Sequence, residues 1–253
     1  DHSVHERLFF PRWGMALNFT YGAPLFQYKS PLPHYALLFF HWAGLSWTGA
    51  AKALGTAVVL LGALGAYAYA RWLFRDRRAA LVTSSAYLLA PYLLVNVYQR
   101  GAVGEALALA VLPWLFWTLS RTITDHSAAW PWAAALLVAI VVLAHNVTAF
   151  FLIPVVTLYI FILACREHAW SRLALVAGVL ALGLGLSAFY WAPAMLETGY
   201  AQIDSHMTEG LYQADKNLSA FNALIQTAPT AEYWGPQVFH LALWQAALGI
   251  VAI

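Results

Sequence analysis

Between residues 51 and 193 the sequence passes through six apolar stretches in succession, at about 51–74, 79–98, 102–120, 129–145, 147–165 and 171–193. A seventh opens near residue 239 and runs to the end of the chain. Each approaches or exceeds the roughly 18–20 apolar residues that carry a helix across a hydrocarbon core of about 30 Å. Composition points the same way: 62% of residues are hydrophobic and 9% are charged, too few polar groups to wrap a soluble core of this size. The expected fold class is an all-α polytopic membrane protein.

The remaining bulk properties remove other classes. The single cysteine, Cys165, excludes an internal disulfide and any cysteine-based zinc cluster. A net charge of +2 is too small for a nucleic-acid partner. The chain begins at Asp1 without an initiator Met and ends within the apolar run 246–253, so it is expected to be part of a longer protein.

Charge sets the topology. Arg71, Arg75, Arg77 and Arg78 lie between the first two stretches, Arg121 follows the third, and Arg166 and Arg172 separate the fifth from the sixth. Placing these junctions in the cytoplasm gives that side a net +4 and the other side −2, which is the positive-inside pattern under strict alternation. The first full span then runs inward, and residues 1–50 form an extracytoplasmic loop. Within that loop, 34–47 is apolar and aromatic but too short to cross, and is expected to be a helix lying in the outer interface. Residues 51–193 supply six transmembrane helices, 194–238 a second extracytoplasmic loop, and 239–253 the start of a further span.

The outer side carries the candidate chemistry. In Asp1-His2-Ser3-Val4-His5-Glu6-Arg7, helical geometry pairs Asp1 with His5 and His2 with Glu6. That arrangement suits a divalent cation, with His2 and His5 as ligands, or a general base. Ser3 and Glu6 also match a helix-capping box, which would make Glu6 structural. The string Tyr28-Lys29-Ser30-Pro31-Leu32-Pro33 precedes the interfacial helix, and its prolines hold Lys29 at the membrane surface. Lys29 there can meet a phosphate or act as a snorkelling anchor. Glu105 falls in the first turn of a span, where the helix dipole favours an acid and lipid requires it to have a partner; Arg100 is the candidate. His145 reads as a capped turn residue. The stretch 197–237, with Asp204, His206, Glu209 and Asp215, is long enough to cover a site.

Taken in order, these features resemble a known group. An acid-bearing outer loop, Tyr-x-Lys-Ser-Pro-Leu, a short interfacial helix, a span ending in Arg71-Trp72-Leu73-Phe74-Arg75-Asp76-Arg77-Arg78 and an acid on the next outer turn are similar to the N-terminal half of the C-type (GT-C) membrane glycosyltransferases. The bacterial branch related to aminoarabinose and protein mannosyl transferases is the nearest in pattern. The resemblance covers about residues 1–110, and it departs from that pattern at His2 (usually Glu), Ser30 (usually Pro) and Glu105 (usually Asp). It implies a GT-C-like helix bundle in the bacterial inner membrane that moves a sugar from a polyprenyl-phosphate donor to an extracytoplasmic acceptor. Asp1 and Glu105 would be the catalytic acids. Lys29, Arg100, Tyr28 and Arg7 would bind phosphate and substrate, and a divalent metal would be an optional cofactor. The implied partners are the lipid-linked sugar and membrane lipids.

Two other classes fit the same pattern. One is a non-catalytic, transferase-like subunit among other membrane subunits of a larger complex. The other is a transporter of lipid-linked sugars, against which the apolar middles of the spans argue.

Overall fold

Lipid offers a peptide group no hydrogen bonds, so each apolar stretch is expected to satisfy its own backbone as a helix. In the computed structural model residues 10–200 are described, and positions 1–9 and 201–253 lie outside the described residues. A short α1 (Leu25–Tyr28) and α2 (Leu32–Trp42) precede the long α3 (Trp47–Phe74). There follow α4 (Arg77–Leu88), α5 (Pro91–Tyr98), α6 (Val103–Thr124), α7 (Ala129–Ala144) and α8 (Asn146–Arg166). A 3-10 turn, Trp170–Arg172, leads to α9 (Leu173–Leu186) and α10 (Ala188–Leu196), and a second, Thr198–Tyr200, follows. The described residues contain no strand, only an isolated bridge between Gly14 and Ala23. The chain is an all-α membrane bundle.

Three helices, α3, α6 and α8, are long and apolar enough to cross a membrane, and two bent pairs raise the number to five. In the first pair α4 and α5 meet at 41°. Pro91 bars its predecessor from helical geometry, and Ala90 is extended with φ −61° and ψ 119°. In the second, α9 and α10 meet at 74° around Ser187. The Ser187 hydroxyl donates back to the carbonyls of Gly183 and Leu184, both at 3.1 Å, and Trp191 Nε1 also donates to Leu184 O at 2.8 Å. These side chains add to the Ser187 backbone N–H, which donates to the carbonyls of Gly183 and Leu184 at 3.3 and 3.2 Å. The stretch expected as a span at 129–145 forms the 16-residue α7, about 24 Å long at 1.5 Å per residue, which is short of a full crossing. The interfacial stretch expected at 34–47 forms α2 and stops at Trp42. Ser46 then caps α3, accepting from Gly49 N at 3.1 Å, so the first span begins at Trp47.

Helix α6 is the hub. It packs against α3, α7 and α8, and Ala106, Ala108, Ala110, Leu115 and Leu119 are almost completely buried. Small residues there let neighbouring backbones approach, the usual basis of helix association in lipid. Helix α8 is peripheral: Phe150, Phe151, Leu158 and Phe161 are all more than half exposed, as suits side chains facing lipid.

One backbone problem organises the centre. Pro113 lies inside α6 and has no N–H, which releases the carbonyl of Leu109 one turn earlier. Tyr87 of α4 donates its hydroxyl to that carbonyl at 2.6 Å. The Tyr87 ring reaches it across Gly62 of α3, where a Cβ would stand 2.9 Å from Tyr87 Cε1 and 3.3 Å from the Ala110 Cα. Nearby, Trp114 Nε1 donates to Leu61 O at 2.9 Å and Ser84 Oγ to Ala63 O at 2.7 Å. A relay of hydroxyls, Tyr69 to Tyr159 (2.7 Å) and Tyr159 to Ser120 (2.5 Å), ties α3, α8 and α6. Interhelical bonds of this kind contribute about 0.6–2 kcal/mol each.

Side-chain contacts sort the connections onto two ends. Arg172 meets His126, which puts the 125–128 and 167–172 connections together with the arginine-rich helix ends. At the other end Ser30 meets Asn146, and Gly104 abuts Pro33 and the Ala144 carbonyl.

The Pro113 arrangement makes a two-step prediction. Tyr87→Phe strands the Leu109 carbonyl and lowers stability by about 1–3 kcal/mol in thermal unfolding of the detergent-solubilised protein. Adding Pro113→Ala restores an N–H for that carbonyl and recovers most of the loss. A double variant no more stable than Tyr87→Phe would show that the carbonyl is not the cause.

Candidate functional site

The motif Tyr28-Lys29-Ser30-Pro31-Leu32-Pro33 is fixed by its serine. Ser30 is buried, and its Oγ accepts from the Asn146 backbone N–H at 3.1 Å while meeting Tyr190 Oη at 3.2 Å. Tyr190 Oη donates in turn to Tyr28 O at 3.1 Å. This chain ties the motif to the first turn of α8 and to α10, whose residues are more than 110 positions away in sequence. A proline at position 30 would have no hydroxyl to offer. Lys29, between these anchored neighbours, is exposed, and its charge acts on His34 in the first turn of α2. Pro33 lies against Gly104, where a Cβ would stand 3.2 Å from Pro33 Cγ and 2.7 Å from Ala144 O. Only glycine allows the start of α6, the motif and the α7–α8 turn to meet at this point.

The residue after that glycine is Glu105. Its side chain is 13% exposed and pairs with Arg100 Nη1 at 3.0 Å. Tyr92 donates to the other carboxylate oxygen, and Arg100 also reaches Asn96 Oδ1 at 2.6 Å. Asn96 itself is fully buried. Glu105 thus lies in the first turn of α6, whose N-cap, Ala102, supplies no side-chain cap. A carboxylate is favoured there by the exposed N–H groups and the helix dipole. The Arg100–Glu105 pair expected from the sequence is present.

His145 stands beside this cluster. Its Nδ1 accepts from Thr148 N at 3.2 Å and faces Thr148 Oγ1 at 2.8 Å, so the imidazole caps α8. Burial holds its pKa below the ordinary histidine range, with Glu105 pulling upward and Arg100 downward. His34 is also lowered, first by burial and then by Lys29, against a smaller upward contribution from the Ser30 backbone. Neither imidazole is arranged to hold a metal, and the described residues contain no group of three or more His, Cys, Asp or Glu that would.

Sequence reasoning missed a second polar cluster on the same face. Arg12 donates from Nε to Gln27 Oε1 and from Nη2 to Glu197 Oε1, both at 2.6 Å, and Gln27 Nε2 donates to Glu197 Oε2 at 2.5 Å. Tyr28 Oη donates to Glu197 O at 2.8 Å. Together with Trp13, Pro24 and Tyr200 these side chains line a half-open cleft of about 340 Å³. Arg12 and Glu197 are 185 positions apart, and no local spacing could have joined them. Asp1, His2, His5, Glu6 and Arg7 lie outside the described residues, as do Asp204, His206, Glu209 and Asp215.

The two half-buried histidines, His34 and His145, set a pH response. Their folded-state pKa values are below those of the unfolded chain, so the unfolded chain takes up more protons as pH falls below about 6.5. Stability is therefore expected to fall on acidification from pH 6.5 towards 5. Combining His34→Gln with His145→Asn, which keeps a capping acceptor, should flatten unfolding temperature across that window. An unchanged slope would remove both residues as its source.

No curated protein and no solved structure matches the chain. A family profile described as a 6-pyruvoyl-tetrahydropterin synthase related domain, membrane protein, matches residues 26–250. That match takes in every described helix but the first residue of α1, so the chain belongs to this family of membrane proteins.

Proposed function

We propose that the protein is a glycosyltransferase of the bacterial inner membrane that takes a sugar from a polyprenyl-phosphate donor at its extracytoplasmic end. The observation that carries this reading is Glu105, a carboxylate held by Arg100 at the uncapped start of α6, on the same end of the bundle as the anchored Tyr28-Lys29-Ser30 motif. The family's description names no sugar and no transfer reaction, so the reading rests on these residues and on the resemblance in sequence.

In the proposed reaction the bond between the sugar's anomeric carbon and the lipid-phosphate oxygen breaks, and its electron pair leaves with the phosphate. An acceptor hydroxyl forms the new bond to that carbon and gives its proton to a carboxylate, for which Asp1 is the candidate. Fixed cations stabilise the departing phosphate more strongly than water does, because they need no reorganisation. Lys29, exposed beside the motif, and Arg100 are the cations for that task. Glu105 then orients Arg100.

One observation favours the alternative of a non-catalytic, transferase-like subunit. The Glu105 carboxylate is engaged on both oxygens, by Arg100 and by Tyr92, as a structural acid would be. The two readings separate in one assay. Transfer of radiolabelled sugar from a polyprenyl-phosphate donor by the full-length protein should fall at least a hundredfold in Asp1→Asn, in line with loss of general-base catalysis of about 10²–10⁴. Glu105→Gln should lower transfer and also the unfolding temperature, because one of its two donors then faces an amide N–H₂. Transfer equal to wild type in Asp1→Asn would exclude Asp1, and absence of transfer by the wild type would favour the subunit.

A further inference from the structure

At the arginine-rich end of the bundle two buried donors point at nothing. Arg121 Nε and Trp117 Nε1 have no hydrogen-bond partner among the described residues. They stand four positions apart on α6, on one face of the helix. Both side chains rest on the same ring from α7: the Trp117 and Trp130 centroids are 5.3 Å apart, and Arg121 Cζ lies 4.5 Å above Trp130. The available carboxylate is already committed, since Asp125 accepts from Arg121 Nη2 and from Trp130 Nε1 at 3.1 Å. Its pairing with Arg121 holds the Asp125 carboxyl at about 2, well below the usual range, so it stays an acceptor throughout physiological pH. Two donors on one helix face, one of them the guanidinium Nε–H, are therefore left without an acceptor among the described residues.

Position in the bundle says what would supply the acceptor. Arg121 is one turn from the end of α6, and its side chain is 27% exposed. Trp132 and Trp170, 67% and 50% exposed, flank this end as aromatic side chains do at headgroup depth. Arg172, in contact with His126, adds a further positive charge at this end. A buried donor left unpaired costs about 1–3 kcal/mol, and phosphodiester oxygens are among the acceptors at headgroup depth. Basic side chains at the cytoplasmic ends of membrane helices suit anionic headgroups.

We infer that Trp117 and Arg121, backed by Trp130, form a site for a phosphate oxygen, supplied in the bilayer by the headgroup of an anionic phospholipid. Nothing in this site touches the proposed transferase residues, which lie at the opposite end of the helices. The site therefore stands or falls independently of that reading.

The test is thermal unfolding of the full-length protein in detergent micelles titrated with phosphatidylglycerol, with phosphatidylcholine and with inorganic phosphate in parallel. Phosphatidylglycerol should raise the unfolding temperature at lower concentration than phosphatidylcholine. Trp117→Phe keeps the stacked ring, loses one donor, and should weaken that effect about fivefold, the value of one neutral hydrogen bond. Arg121→Lys keeps a charge for Asp125 but loses Nε, and should weaken it about tenfold. Trp132→Phe, on the exposed surface, should leave it unchanged. Stabilisation by inorganic phosphate alone, lost in the same two variants, would support the oxyanion site and assign free phosphate as its source. Equal stabilisation by the two lipids, or wild-type response in both Trp117→Phe and Arg121→Lys, would overturn the proposal and leave the donors to water.

Discussion

The bundle depends on the requirement that every peptide group in lipid find a partner inside the protein. Most do so within their own helix. Where a proline or a break frees a group, a side chain from elsewhere has to reach it, and that reach fixes how helices sit against one another. Pro113 frees a carbonyl in α6, Tyr87 comes from α4 to meet it, and Gly62 of α3 is bare so that the ring can pass. Three helices are registered by one missing N–H. At the α9–α10 break the Ser187 hydroxyl and Trp191 reinforce, from within the bent pair, carbonyls that the Ser187 backbone N–H also holds. In both places polar side chains stabilise a particular geometry rather than simply adding attraction, because any slip of register would strand a carbonyl in hydrocarbon.

The same logic explains how a polar end is built on an apolar bundle. Ser30, Tyr190 and Asn146 pass hydrogen bonds between the first loop, α10 and α8, and Arg12, Gln27 and Glu197 do the same further out. Each link joins segments distant in sequence. The result is a rigid rim that holds Lys29 exposed between fixed neighbours and brings Glu105 beside His145, while the middle of the bundle carries no ion pair among the described residues.

Much of the fold was legible in the sequence because its cause is local. Apolar length and arginine-rich junctions mark where helices must run, and the Arg100–Glu105 pair follows from a five-residue separation at a turn. Other features had no local cause. That α7 would be 16 residues, and that 79–98 would bend at Ala90, depends on caps and on Pro91 in ways that hydropathy averages away. Ser30 reads as a departure from a proline-rich motif, and its reason is visible only once Asn146 and Tyr190 stand beside it. The Arg12–Gln27–Glu197 cluster was illegible, because its members are ordinary surface residues until the fold joins them. The segment with Asp1, on which the proposed chemistry leans most, lies outside the described residues.

The length of α7 has a consequence for how the chain enters the membrane. At 16 residues it is too short to be taken up as a span by itself, and it is separated from α8 by the single non-helical residue His145. The two must partition together as a helical hairpin, with α8 supplying the apolar length that α7 lacks. The apex Ala144-His145-Asn146 then has to cross the bilayer first, and it carries no formal charge when the imidazole is neutral. An arginine at that apex would add about 2.5–3.5 kcal/mol to the passage through the bilayer centre. The identity of one turn residue therefore bears on biogenesis as much as on the finished fold.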